Sequence, residues 1–211
     1  MTLDQLLAEG VPPVAAILRG LRPDEAIDVA AALIDNGIRI LEVPFNSPEP
    51  TKSIAAITQA FGDRALIGGG TVLSVEAVEA LVEAGGRLMV TPNTNPAVIA
   101  RAVALGLEVL PGFMTPSEAF QAIAAGARRL KLFPGASLGP AYLKAVREVL
   151  PRDVAVWAVG GTNAETFKDW LAGGAEGIGV GGALFKPGDS AAVVGERAAA
   201  LTAAWKAATA G

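Results

Sequence analysis

The chain contains no cysteine and no histidine. The first absence excludes a disulfide framework, a thiol nucleophile and a thiolate metal site, so cysteine usage says nothing about redox compartment. The second excludes a Ser-His-Asp triad, an imidazole acid or base and an ordinary zinc site. Charge is sparse as well. Charged residues make up 18% of the chain, the formal net charge is -4 and the basic residues are scattered, which argues against a nucleic-acid surface. No apolar run approaches the roughly 20 residues needed to span a bilayer. The opening Met1-Thr2-Leu3-Asp4-Gln5 lacks the basic and apolar regions of a secretory signal. The expectation is a cytoplasmic protein that binds neither nucleic acid nor membrane. Any catalysis has to move protons through carboxylates, lysine, water or the single tyrosine, Tyr142.

What is present points to a large core. Hydrophobic residues are 52% of 211, which fits one compact domain over residues 1–211. Short apolar runs alternate with longer Ala-rich segments. The candidate strands are Val14–Leu18, Ile38–Glu42, Ala65–Gly68, Leu88–Val90, Glu108–Leu110, Arg129–Leu132, Val154–Ala158 and Gly177–Val180. Helical punctuation lies between them. Pro23-Asp24-Glu25 and Asn36-Gly37 bracket one helix, Ser74 with Glu76 opens another, and Pro116-Ser117-Glu118 opens a third. A leading helix of about Thr2–Glu9 precedes the first strand. Eight β/α units predict a small α/β fold, a (β/α)8 TIM barrel with a short N-terminal helix. A doubly wound open sheet is the rival, but no Gly-x-Gly-x-x-Gly follows the first strand.

In such a barrel the active site lies at the C-terminal ends of the strands, so polar residues there are candidates and polar residues at strand starts are structural. Lys131 sits between leucines in Leu130-Lys131-Leu132-Phe133-Pro134. It is either a snorkelling lysine on an edge strand or a buried amine with a lowered pKa, able to attack a carbonyl. Glu42, flanked by Leu41 and Val43, is either half of a buried salt bridge or a general acid or base. Period-two alternation puts Arg19 on the face of Ala15 and Ile17. It is a solvated arginine or a carboxylate clamp. Gly68-Gly69-Gly70 imply a tight turn or close backbone approach, and Thr71 after them can donate to a carboxylate. Gly160-Gly161 and Gly181-Gly182 end the last two strands, where backbone N–H groups hold phosphate in many barrels.

Together these residues resemble the class I aldolases that cleave 2-keto-3-deoxy-6-phospho sugar acids to pyruvate and glyceraldehyde 3-phosphate. Leu41-Glu42-Val43, Gly70-Thr71-Val72-Leu73, Leu130–Pro134 and the two glycine doublets carry the resemblance across essentially the whole chain. Ile17-Leu18-Arg19-Gly20, Asn46-Ser47-Pro48 and Val159 before the doublet resemble the galactonate-type branch rather than the gluconate-type one. Ala183 stands where the gluconate type has a phosphate-binding serine. The resemblance implies an imine on Lys131 with no cofactor and no metal, and proton transfer by Glu42. It also implies a pyruvate carboxylate held by Arg19 and Thr71, Phe133 against the pyruvyl group, Val159 beside C4, and phosphate on Gly160, Gly161, Gly181 and Gly182. The implied partners are a phosphorylated sugar acid, pyruvate and two further copies in a homotrimer. Three alternatives stay open: the gluconate epimer or dual specificity, a phosphate-binding epimerase or isomerase, and a non-catalytic phosphosugar-binding barrel.

Overall fold

The computed structural model describes residues 1–210. It opens with α1 (Leu3–Ala8), whose capping box is reciprocal: Thr2 Oγ1 accepts from Gln5 N at 3.2 Å and Gln5 Oε1 accepts from Thr2 N at 2.8 Å. Strands and helices then alternate: β1 (Val14–Ile17), α2 (Ala26–Asp35), β2 (Ile40–Pro44), α3 (Pro50–Phe61), β3 (Leu66–Gly70), α4 (Val75–Glu83), β4 (Leu88–Val90) and α5 (Pro96–Ala104). The second half contains β5 (Glu108–Leu110), β6 (Gly112–Phe113), α6 (Pro116–Ala124), β7 (Arg129–Leu132), α7 (Gly135–Arg147), β8 (Ala155–Val159), α8 (Phe167–Ala172), β9 (Gly177–Val180) and α9 (Ala191–Thr209). Side-chain oxygens of Ser74, Asn95, Thr115 and Ser190 cap α4, α5, α6 and α9. Among the described residues no helix is long and apolar enough to cross a membrane.

All strand pairs are parallel, in the order β5-β4-β3-β2-β1-β9-β8-β7-β6. Nine strand segments occupy eight barrel positions. β5 and β6 are two pieces of the fifth strand, separated by Pro111, which has no N–H to give a ladder. Its carbonyl still accepts from Lys131 N at 2.8 Å, so the two ends of the strand order meet and the barrel closes. The expected (β/α)8 barrel with its leading helix is therefore present, and the open-sheet rival is not.

The first strand ends one residue earlier than expected and the seventh, β8, starts and ends one later; two others shift further. The second strand was expected at Ile38–Glu42 and runs Ile40–Pro44. Ile38 N is taken by Leu33 O at 2.9 Å, where the end of α2 folds back on itself, so pairing starts later. The third strand runs two residues further than expected, to Gly70, because Phe45 N continues the ladder onto Gly70 O at 2.7 Å.

Alternation divides the core into two shells. Outside the barrel wall, Val14, Ala16, Leu41, Val43, Leu130, Leu132 and Ile178 pack against the helices. Inside it, Ala15, Ile40, Leu66, Leu88, Val90, Leu110 and Trp157 form a separate cluster, closed from below by Leu3 and Leu6 of α1. The leading helix is thus a plug at the N-terminal mouth. Arg129, at the start of β7, forms an ion cluster there with Glu176 (2.8 Å), Glu108 (3.9 Å) and Asp4.

The crowded interior makes a glycine in β3 obligatory. A Cβ on Gly68 would lie 2.1 Å from the Leu88 carbonyl oxygen and 2.5 Å from Leu88 Cβ, in a neighbouring strand that cannot move alone. Gly68→Ala is therefore expected to lose about 2–3 kcal/mol of stability in urea unfolding. Gly182→Ala, where an added Cβ meets nothing within 4 Å, should stay within about 0.5 kcal/mol.

Candidate active site

The eight parallel strands end at one mouth, and a cleft of about 420 Å³ opens there. Its lining includes Arg19, Lys131, Phe133, Val159, Gly160, Gly161, Gly181 and Gly182, together with Ile17, Pro92, Asn163 and Ala183. A smaller cavity lies directly below, walled by Ala15, Ile17, Val90, Leu110, Trp157 and Val159, with Glu42 and Lys131 as its only ionisable members. Lys131 borders both spaces. Glu42 belongs to the lower one.

Lys131 is placed by β7, which pairs with β6 on one side and β8 on the other, opposite Gly112 and Trp157 respectively. It is not on an edge, and at 6% exposure it does not snorkel. The Nζ lies 5.0 Å from the centre of the Phe133 ring, a cation–π distance. Phe133 stands at the strand end, immediately before a cis Phe133-Pro134 peptide.

Glu42 is placed by β2, opposite Ile17 and Gly68, and is 2% exposed. Its Oε2 has no hydrogen-bond partner, and Glu42 joins none of the ion pairs formed among the described residues. The salt-bridge reading of Glu42 therefore does not describe this structure. Gly70 is what lets the carboxylate sit there, since a Cβ on Gly70 would come within 1.9 Å of Oε2.

Burial dominates the electrostatics of the pair. It pushes the Glu42 carboxyl up to about 7, against the opposing pull of Lys131 and then Arg19. It pulls the Lys131 ammonium below the ordinary lysine value; Glu42 opposes this and Arg19 assists it. Both shifts favour the uncharged form of the group concerned.

Arg19 follows β1 and is exposed at the rim, where its Nη1 donates to Asn46 Oδ1 at 2.5 Å. Gly20 N donates to Ser47 Oγ at 3.0 Å, so the loops after β1 and β2 are tied together twice. In the sequence Asn46 serves only as a mark of the galactonate-type branch, and an amide cannot itself clamp a carboxylate. Its place is to orient the guanidinium that can. The signal was available, since β1 and β2 are neighbours and Arg19 and Asn46 both follow their strand ends.

The doublets after β8 and β9 are built differently. Gly160 and Gly161 have φ of +102° and +72°, a backbone that L side chains rarely adopt. Thr162, buried behind them, donates from Oγ1 to Gly179 O at 2.6 Å and pins the turn to β9. Gly181 O accepts from Leu184 N at 2.7 Å and Phe185 N at 3.0 Å, leaving the N–H groups of Gly182 and Ala183 without a protein acceptor. Those free donors at the rim are what an anion needs. Asn163 completes the rim; its position after the Gly-Gly-Thr turn was the signal that sequence reading passed over. Thr71 does not line the cleft. It is half-buried just past Gly70, with a left-handed φ of +53° that is unusual for a β-branched residue.

The fold and this site define a class: a (β/α)8 barrel with a buried amine at the end of its sixth strand, a buried carboxyl beneath it and glycine turns after its last two strands. The chain belongs to the KDPG and KHG aldolase family, which it matches over residues 6–196. It is 48% identical over 194 residues to the 2-dehydro-3-deoxy-6-phosphogalactonate aldolase of Escherichia coli (strain K12), covering 92% of this chain and 95% of that one. It is likewise 48% identical over 195 residues to a probable 2-dehydro-3-deoxy-6-phosphogalactonate aldolase of Rhizobium meliloti (strain 1021), covering 92% of each. A solved native KDPGal structure superposes with a TM-score of 0.92 at 47% identity, over 94% of this chain and 96% of that one. Among the described residues no group of three or more Asp or Glu is arranged to hold a metal ion.

The Glu42 shift makes a stability prediction. Its folded value, about 7, lies above that of an unfolded glutamate, so the stability it allows is fully present below about pH 4 and is lost as pH rises through 7. Glu42→Gln removes that loss. The variant is expected to melt a few degrees higher than the parent at pH 8, with the gap closing towards pH 4, as followed by circular dichroism.

Proposed function

We propose that residues 1–211 act as one domain, a class I aldolase that cleaves 2-dehydro-3-deoxy-6-phosphogalactonate to pyruvate and D-glyceraldehyde 3-phosphate in the cytoplasm. The observation that carries the reading is the buried amine of Lys131, held beside the open cleft with its pKa lowered. Retro-aldol cleavage needs an electron sink at C2, and a protonated imine on lysine supplies one.

Neutral Lys131 attacks the C2 carbonyl to give a carbinolamine. Glu42 donates the proton with which the C2 hydroxyl leaves as water, and the protonated imine forms. Glu42, now a carboxylate, takes the proton from the C4 hydroxyl. The C3–C4 bond breaks, its electron pair moves into the imine as an enamine, and the aldehyde leaves. Protonation at C3 and hydrolysis release pyruvate and restore the amine. A carboxyl near pH 7 is suited to both directions of transfer.

Arg19, aimed by Asn46, holds the substrate carboxylate, without the Thr71 hydroxyl that the sequence suggested. Phe133 packs on the pyruvyl portion, and Val159 meets the substrate near C4 with an apolar surface. The phosphate lies on the backbone N–H groups around Gly160, Gly161, Gly181 and Gly182. With Ala183 there, that grip relies on main chain. Support for the galactonate epimer comes from Val159, from the Arg19–Asn46 pair and from the names of both 48% identical relatives. Exposed Leu73, Met114 and Phe120, on or beside α4 and α6, give apolar surface for a homotrimer.

Borohydride added with pyruvate should inactivate the protein and leave one pyruvyl mass on Lys131 by peptide mass spectrometry. An adduct on Lys52 or Lys144, or none, removes the imine and with it the central step. Glu42→Gln should bind pyruvate yet lose at least about 100-fold in kcat. Assayed side by side, the two C4 epimers should differ in favour of the galactonate form. A preference for the gluconate form would reverse the branch assignment.

A further inference from the structure

Beneath Lys131 the barrel interior contains one large side chain with a polar handle, Trp157. It is paired with Lys131 across β7 and β8, is 1% exposed and walls the small cavity that Lys131 and Glu42 share. Its indole N–H donates to Glu176 Oε2 at 2.6 Å. The same oxygen accepts from Arg129 Nε at 2.8 Å, and Arg129 in turn meets Asp4 of the plug helix and Glu108 of β5. Gly177 leaves room for the ring, since a Cβ there would lie 3.0 Å from Trp157 Cδ2. The indole is therefore held at both ends, by a carboxylate at the closed mouth and by packing under the amine.

We propose that Glu176 is a positioning residue for Lys131, acting through the indole of Trp157. The anchored ring is the floor that keeps water from reaching the amine from below. The proposal rests on Lys131 being the imine-forming lysine. The charged groups facing Lys131 are Glu42 from β2 and Arg19 after β1; its other cavity neighbours, from β1, β4, β5, β8 and β9, are uncharged. Glu176 faces Arg129, and through it Asp4 and Glu108.

Two effects of losing Glu176 have opposite signs, which makes the proposal testable. Deleting a carboxylate charge by itself lowers a neighbouring amine's pKa. Freeing the indole admits water and raises the amine towards its ordinary value. The measurement is the rate of Lys131 adduct formation with pyruvate and cyanoborohydride between pH 5 and 10, for parent, Glu176→Ala, Glu176→Gln and Trp157→Phe. In Glu176→Ala and Trp157→Phe the midpoint should rise by about one unit, slowing adduct formation about tenfold on the acidic side of the parent midpoint. Glu176→Gln keeps an acceptor for the indole N–H without the charge, and its midpoint should not rise. Trp157→Phe leaves the Arg129–Glu176 pair in place, so it serves where Glu176→Ala fails to fold. Unchanged or lowered midpoints in Glu176→Ala and Trp157→Phe would overturn the positioning role. An absent Lys131 adduct in the parent would instead overturn the imine reading itself.

Discussion

The structure turns on two ionisable side chains kept out of water without being given each other as a full salt bridge. Desolvation of Lys131 and Glu42 is worth more than their mutual attraction, and both are driven towards their neutral forms. A paired, charged Lys–Glu bridge in the same place would be inert: the amine would carry no lone pair and the carboxyl could not give a proton. Leaving Glu42 Oε2 without a partner is a local instability, and the rest of the barrel is arranged to hold it.

That arrangement is visible in where side chains are missing. Gly70 vacates the volume that the Glu42 carboxyl fills, and Gly179 vacates the volume that Val159 and Ile17 approach. Large groups are concentrated opposite these gaps, with Trp157 beneath the amine and Phe133 beside it. Close packing makes such substitutions interdependent, because a barrel interior has no slack into which an extra methyl group can relax. Small and large residues therefore alternate around the site as parts of one solvent-excluding wall.

The two mouths of the barrel divide the remaining work. The N-terminal mouth is sealed by α1 and the Arg129 ion cluster, where three carboxylates gather on one guanidinium. The C-terminal mouth is open and has donors in excess: Arg19, and main-chain N–H groups around the glycine turns. The two ends of the barrel therefore present opposite balances of donors and acceptors. With main-chain donors rather than a second lysine at that rim, no further ammonium lines the cleft beside Lys131.

By itself the sequence determined the fold class and picked out most of the residues that meet at the strand ends. Eight apolar runs at the spacing of β/α units, closed by glycine and opened by capping residues, specify a barrel because each signal is local to a few residues. The absence of histidine and cysteine narrowed the chemistry, and the parity of β1 and β2 put Arg19 and Glu42 on the inner face. What only the tertiary structure decided depends on neighbours distant in sequence. The barrel closes across the Pro111 break because Lys131 N finds the Pro111 carbonyl. Asn46 matters because β2 lies beside β1, bringing its amide to Arg19. Thr71 lies outside the cleft lining because its backbone turns left-handed after Gly70. Trp157 and Glu176 meet only when β8 and β9 pair. Above all, whether Lys131 was a snorkelling lysine or a buried amine was a question of burial, and burial is set by the closed sheet around a residue rather than by the residues beside it in the chain.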